Sequence, residues 1–228
     1  MQLQRILQSQ GFGSRRLCRA IVYSGRVTVA GAPALDPSAE FPVGDLHFTV
    51  DGEEWRYAEH ATLMLHKPAG YECSRAPQFH ASVLELLPVP LRERGVQPVG
   101  RLDQDTTGLL LLTDDGALNH RLTSPKHHIH KTYRVGLKHP AEASICEQLL
   151  GGVQLNDEPA PSVALACELP DPLTLRMTID EGKYHQVKRM IAAAGNRVES
   201  LHREAVGSLV LPADLAPGQW RWLPGFEA

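Results

Sequence analysis

The order of apolar patterns along these 228 residues predicts an α+β protein in two unequal parts. Three observations carry that reading. The first fifty or so residues hold two short helical patterns and two short strands, too little apolar material for a large core of their own. A mostly polar stretch, 51–60, follows and reads as a linker. Beyond it, strands outnumber helices and do not alternate strictly with them, which favours a mixed, mainly antiparallel sheet flanked by helices over a doubly wound parallel one. The parts are assigned as residues 1–57 and 58–228.

Leu3, Ile6 and Leu7 recur at helical spacing. Ser14 stands as an N-cap before Leu17, Ala20 and Ile21, a second helix that Ser24-Gly25 ends. Val27-Thr28-Val29 is a short strand, Gly31-Ala32-Pro33 a turn, and Gly44-Asp45 leads into a second strand at 46–50. In the larger part, 63–65 and 108–113 are continuous apolar runs suited to buried strands. Asp114 or Asp115 can cap a helix running to about residue 122. Residues 131–137 alternate like a strand and 141–150 read as a helix. Residues 162–169 and 173–179 are strands, 184–194 a helix stopped by Gly195-Asn196, and 198–206 a final long strand.

Hydrophobic residues make up 43% and charged residues 21%, the balance of an ordinary soluble globular protein. No apolar run approaches membrane-spanning length and the opening residues carry no signal-peptide core, so a cytoplasmic protein without a membrane partner is expected. Cys18, Cys73, Cys146 and Cys167 are scattered and read as reduced thiols. His120, His127, His128 and His130 match no standard zinc spacing. Gly182-Lys183 lacks the upstream glycine of a phosphate-binding loop. Neither a metal nor a cofactor is expected. The net charge is −3, yet residues 1–30 contain Arg5, Arg15, Arg16, Arg19 and Arg26 and no acid. A basic patch on a mildly acidic chain can still meet a phosphate backbone; the plain alternative is a solvated charged helix face.

Two resemblances sharpen this. Leu3, Arg5 and Leu7, Ser14-Arg15, the run Ser24-Gly25-Arg26-Val27-Thr28-Val29-Ala30-Gly31, and Gly44-Asp45 together resemble the S4 RNA-binding domain over roughly residues 1–50. Gln4 stands where that family usually has an acid, and Ala30 where it usually has Asn. The resemblance implies that Arg5, Arg15, Arg16, Arg19 and Arg26 meet RNA phosphates, each contact adding salt-dependent affinity with little sequence choice.

The string Gly100-Arg101-Leu102-Asp103-Gln104-Asp105-Thr106-Thr107-Gly108-Leu109, followed by an apolar strand and Thr113-Asp114-Asp115-Gly116, resembles the central motif of the RsuA-type pseudouridine synthases. The likeness continues through His120-Arg121-Leu122-Thr123-Ser124-Pro125 and Lys131-Thr132-Tyr133. It resumes at Glu181-Gly182-Lys183-Tyr184-His185-Gln186-Val187-Lys188-Arg189-Met190 and Leu201-His202-Arg203. Upstream, His66-Lys67-Pro68-Ala69-Gly70-Tyr71-Glu72-Cys73-Ser74 resembles the family's first loop, with His66 where Asn is usual.

The resemblance implies an RNA isomerase with Asp103 as the catalytic carboxylate. Detaching uracil from its ribose and rejoining it through carbon five involves no net redox change, so no cofactor is needed. A carboxylate can attack the anomeric carbon or the base ring, or remove a proton from the sugar, and these routes stay open. It must be ionised, so a neighbouring cation helps; the family places one in the late helix, Lys188 or else Arg189. Tyr133 matches the family's active-site tyrosine, suited to stack on the extracted base, with plain core as the alternative. Arg101 can hold a flipped nucleotide's phosphate. Asp105 reads as a loop-stabilising carboxylate, or as the nucleophile in a shifted register. The run 123–128 and the stretch 214–218 look closer to the small-subunit members. They imply uridine 516 of 16S ribosomal RNA as target, in free RNA or a partly assembled ribosomal subunit, with the enzyme a monomer. A large-subunit (23S) enzyme of the same group, or a non-catalytic S4-type assembly factor, are the alternatives.

Overall fold

The structure is a computed structural model and describes residues 1–223; residues 224–228 of the predicted larger part lie outside that range. Two compact units emerge. The first comprises Met1–Ala61 with Leu87–Gln97 and Thr113–Asp115; the second comprises Thr62–Leu86, Pro98–Leu112 and the chain from Gly116 onward.

The first unit holds α1 (Leu3–Ser9), α2 (Arg15–Tyr23), β1 (Val27–Val29), β2 (Ala32–Pro33), β3 (His47–Val50), β4 (Glu53–Arg56) and α3 (Val89–Glu93). Leu3, Ile6 and Leu7 are fully buried, as their spacing predicts. Ser14 caps α2 by accepting the Leu17 N–H at 3.3 Å. The buried stripe of α2 is Cys18, Ile21 and Val22, whereas Leu17 is 49% exposed, so the predicted Leu17, Ala20, Ile21 face is rotated. The four-stranded sheet runs β2-β1-β3-β4. Ala30 and Gly31 turn the first hairpin with φ of 51° and 78°, in the left-handed region that two-residue hairpin turns require.

The expected linker is corrected by the second hairpin. Asp51 and Gly52, at φ of 54° and 83°, form a two-residue turn, and 53–56 return as β4 against β3, Val50 opposite Glu53. Glu53 and Glu54 made the stretch look solvated, but Trp55 is buried, its ring edge-on to Phe12 at 5.0 Å. A short edge strand buries one side chain and leaves its acids in water. Arg94, just after α3, ties the later segments into this unit. Its Nε donates to Asp114 at 2.6 Å, Nη1 to Gln10 at 2.7 Å, and Nη2 to the Ala58 and Glu59 carbonyls.

The second unit holds β5 (Thr62–Lys67), β6 (Tyr71–Glu72), β7 (Ala81–Ser82), β8 (Gln97–Pro98), β9 (Thr107–Thr113), α4 (Gly116–Thr123), β10 (Lys131–Leu137), α5 (Ser144–Gly151), β11 (Ala166–Asp171), β12 (Thr174–Ile179), α6 (Gln186–Ala193), β13 (Val198–Val206), β14 (Leu209–Val210) and β15 (Trp220–Trp222). The main sheet runs β11-β12-β10-β13-β9-β5-β15, with β8 beside β9 and β14 beside β13. β11, β12, β10 and β13 pair antiparallel in turn, while β13 and β9 run parallel. This is the mixed, mainly antiparallel sheet the sequence predicts. The run Gly108–Leu112 is buried on both faces, as befits a strand between β13 and β5. Leu109 and Leu111 pack with Met64, Leu118, Leu122 and Val206. β15 and α3 are too short to show a period in the sequence.

One glycine sets the start of β9. Gly108 adopts φ 107°, and a Cβ there would lie 2.2 Å from the Arg203 carbonyl oxygen. Only glycine lets β9 begin flush against β13 at this point, and so fixes where the preceding loop, 100–106, emerges.

Candidate active site

The loop before β9 is held from behind by a lysine. Lys67 ends β5 and has no exposed surface. Its ammonium donates to the carbonyls of Pro68 (3.1 Å), Asp103 (3.1 Å), Gln104 (3.2 Å) and Thr106 (2.8 Å). Burial pushes the Lys67 pKa below its ordinary value; Cys73, Asp105 and Asp103 pull the other way. A buried cation ringed by carbonyl oxygens locks three peptide groups of the loop at once. Two further bonds fasten the loop: Gly70 N–H to the Gln104 carbonyl at 2.9 Å, and Leu102 N–H to Cys73 Sγ at 3.4 Å.

With its backbone fixed, the loop presents two carboxylates. The Asp103 side chain is 28% exposed, and Lys188 Nζ lies 3.0 Å from its Oδ2. The same ammonium reaches Asp105 at 2.7 and 2.9 Å. His185 Nε2 stands 3.3 Å from Asp103 Oδ1. Burial opposes the Lys188 charge, but its hydrogen bonds to Asp105 and Asp103 outweigh that and raise its pKa. For Asp105 burial likewise works upward, and the Lys188 hydrogen bond and charge overcome it, so the group sits below the usual carboxylate range. A permanent cation thus faces a half-shielded Asp103, the arrangement an ionised nucleophile or base requires.

Lys188 and Arg189 are neighbours on α6, and one of them points at the loop. Val187, Met190 and Ile191 bury that helix, and α6 packs on β13. Arg189 turns away: its guanidinium bonds the Asn156 carbonyl, the Tyr184 carbonyl at 3.3 Å and Glu158 at 3.3 Å. Its guanidinium thus engages protein groups rather than the Asp103 loop. His185, at the N-cap of α6, adopts φ 49°, uncommon for a residue with a side chain. Its ring stacks on Tyr184 at 3.9 Å, and Tyr184 is 77% exposed.

Tyr133 lies in β10 opposite Arg203 of β13, and Arg203 lies opposite Gly108 of β9. One row of the sheet therefore runs from Tyr133 to the end of the Asp103 loop. Tyr133 is buried, as is Arg203, whose Nε donates to the Leu109 carbonyl at 2.8 Å. Arg101 is exposed and makes no side-chain hydrogen bond or ion pair among the described residues. His66, where Asn is usual, is engaged through Nδ1 with the Leu215 carbonyl at 2.7 Å.

Among the residues of the first unit, Arg5, Arg15, Arg16 and Arg19 are exposed on α1 and α2. The Arg19 guanidinium sits over the Tyr23 ring at 5.9 Å. Arg26 differs, being paired through both guanidinium arms with Asp51, so its charge is shared before any ligand arrives. Lys67, His185 and the second grip of Lys188 on Asp105 are the features that sequence reasoning assigned no such role. The signal for Lys67 was present: a lysine closing an apolar strand has to find partners inside.

Comparison with known proteins identifies the class of enzyme this site belongs to, an RNA pseudouridylate synthase. The family model for that enzyme, "RNA pseudouridylate synthase", matches residues 61–193, and the S4 domain model matches residues 1–47. The chain belongs to the RNA pseudouridylate synthase family. It is 42% identical over 223 residues to the ribosomal small subunit pseudouridine synthase A of Yersinia pestis, covering 97% of this chain and 94% of that protein. The enzyme of the same name from Escherichia coli K12 is 42% identical over 224 residues, covering 97% and 95%. A crystal structure of a pseudouridylate synthase superposes with a TM-score of 0.68 at 35% identity, covering 98% of this chain and 96% of that one.

Proposed function

We propose that this enzyme converts one uridine of small-subunit ribosomal RNA to pseudouridine, the target being uridine 516 of 16S rRNA, with Asp103 as the catalytic carboxylate. The observation that carries the reading is the 3.0 Å pair between Asp103 and Lys188, in a chain alike over nearly its whole length to small-subunit enzymes. Asp103 acts at the anomeric carbon, at the base ring or on a sugar proton. Lys188 sets a positive charge beside it and aims it. Tyr133 stacks on the extracted uracil and offsets part of the cost of unstacking it. Arg101, unpaired and two residues from Asp103, takes the flipped nucleotide's phosphate. Residues 58–228 do the chemistry, and residues 1–57 deliver RNA through Arg5, Arg15, Arg16 and Arg19, with Arg26 contributing after it exchanges Asp51 for a phosphate.

A pseudouridine-specific chemical treatment followed by primer extension, on rRNA from a strain lacking the protein, tests the target. One 16S stop, at uridine 516, is expected to vanish and to return with the wild-type gene. Loss of a 23S stop instead assigns the enzyme to the large subunit.

The delivery role has its own signature. Replacing Arg15, Arg16 and Arg19 together by Ala is expected to weaken RNA binding across sequences. It should also flatten the plot of log K against log salt by roughly 0.7–0.9 for each phosphate no longer neutralised. An unchanged slope, measured by filter binding between low and moderate salt, means these arginines only decorate the helix.

A further inference from the structure

Between β6 and β7, residues 75–80 are all exposed, and Phe79 at 85% is the most exposed of the large hydrophobic side chains in the described structure. Isolated exposed apolar residues are ordinary, but this one is held in a built support. The Glu72 carboxylate accepts the N–H groups of Gln78 (3.1 Å), Phe79 (2.9 Å) and His80 (2.9 Å). Those bonds lower its pKa and hold it as a carboxylate occupied by its own loop. Ser74 Oγ accepts the Ala76 N–H at 3.1 Å, and Ser82 Oγ donates to the Ser74 carbonyl at 2.5 Å. β6 and β7 close the base of the loop as a parallel pair. The aromatic ring is therefore displayed on a pre-ordered backbone, so little ordering cost attends binding.

The base of this loop is fastened to the catalytic loop. Cys73 Sγ accepts the Leu102 N–H, next to Asp103, and Gly70 N–H bonds the Gln104 carbonyl. Arg75 and His80 lie in the same loop as Phe79 and are exposed. An exposed aromatic on a braced loop that also carries Arg75, rooted beside the Asp103 loop, matches the pattern of stacking platforms for single-stranded nucleic acid.

We propose that loop 75–80 is a base-stacking finger: Phe79 stacks on an unpaired RNA base flanking the target, with Arg75 on the adjoining phosphate. The inference rests on the proposed RNA substrate and extends it to a contact outside both the S4 region and the Asp103 constellation. Only a base that is out of its helix offers a face to the ring, so the finger favours substrate whose neighbouring nucleotides are already open.

The test uses the full chain and a protein-free 16S rRNA transcript, with Kd measured over a salt series. Phe79→Ala and Phe79→Leu are each expected to weaken binding on the order of ten-fold, with the salt slope unchanged, and Phe79→Trp to bind like wild type. Arg75→Ala is expected to lower the slope by the increment of about one phosphate. The melting temperature of Phe79→Ala should equal that of wild type, which separates lost stacking from lost folding. Wild-type Kd for Phe79→Ala, or for Phe79→Leu, overturns the stacking assignment while leaving the RNA substrate intact. A wild-type chain that binds neither the transcript nor a partly assembled small subunit overturns both.

Discussion

Asp103→Asn is expected to lower pseudouridine formation by about a thousand-fold or more while leaving RNA affinity within roughly two-fold of wild type. The substitution is nearly isosteric. Asn still offers an oxygen to Lys188 Nζ, which lies 3.0 Å from Oδ2, and the four carbonyl contacts of Lys67 that shape the loop are made by backbone and do not change. What disappears is the negative charge and lone-pair basicity that every open route requires, whether attack on the sugar, attack on the ring or removal of a proton. The arginines of α1 and α2 are untouched, so binding survives. Single-turnover pseudouridine analysis with enzyme in excess, beside filter binding of the same RNA, separates the two quantities. Full activity in Asp103→Asn moves the chemistry to Asp105, which shares the same ammonium at 2.7 and 2.9 Å. Wild-type protein that binds rRNA and assembly intermediates yet isomerises neither is instead a non-catalytic S4-type factor.

The sequence carried the sheet and the loop well because both rest on local signals. The apolar run 108–112, the alternation at 131–137 and the long strand at 198–206 are period-based, and the structure places strands at all three. Residues 53–56 carry no strand signal because an edge strand needs only one buried side chain, Trp55, and its acids face water. The spacing predicts α2 but not its buried face, since Leu17 is apolar while Cys18 and Val22 do the packing. At the site, the motif brought Asp103 forward and narrowed the cation to two neighbours. It had no means to choose between them, because the choice depends on Glu158 and Asn156 occupying Arg189 from a loop distant in sequence. The grip of Lys67 is hidden for the same reason: its acceptors are backbone carbonyls, which carry no residue identity.

That grip makes Lys67→Met the substitution expected to cost the fold most while sparing every side chain at the reacting carbon. Two terms oppose each other. Removing the ammonium relieves the burial that pushes its pKa down, which favours the variant. Against this, the carbonyls of Pro68, Asp103, Gln104 and Thr106 lose a charged donor in a place without exposed surface. Each orphaned acceptor is worth about 1–3 kcal/mol, so the loss outweighs the relief and about 3 kcal/mol of destabilisation is expected, a fall in melting temperature of roughly 6–12 °C. The pH dependence carries an independent mark. Lys67 has a lower pKa folded than its ordinary 10.5, so between those two values the unfolded chain binds more protons and wild-type stability rises with pH; below the lowered value both states are protonated and Lys67 adds no slope. Lys67→Met lacks this alkaline rise, so its deficit relative to wild type should widen as pH climbs toward 10.5. Urea unfolding at neutral and alkaline pH measures both effects. Activity at a temperature where the variant stays folded reports whether Asp103 still meets Lys188 once its backbone is released. A variant as stable and as active as wild type, with the same pH slope, would mean that the loop is held by Gly70, Cys73 and the Gly108 junction alone.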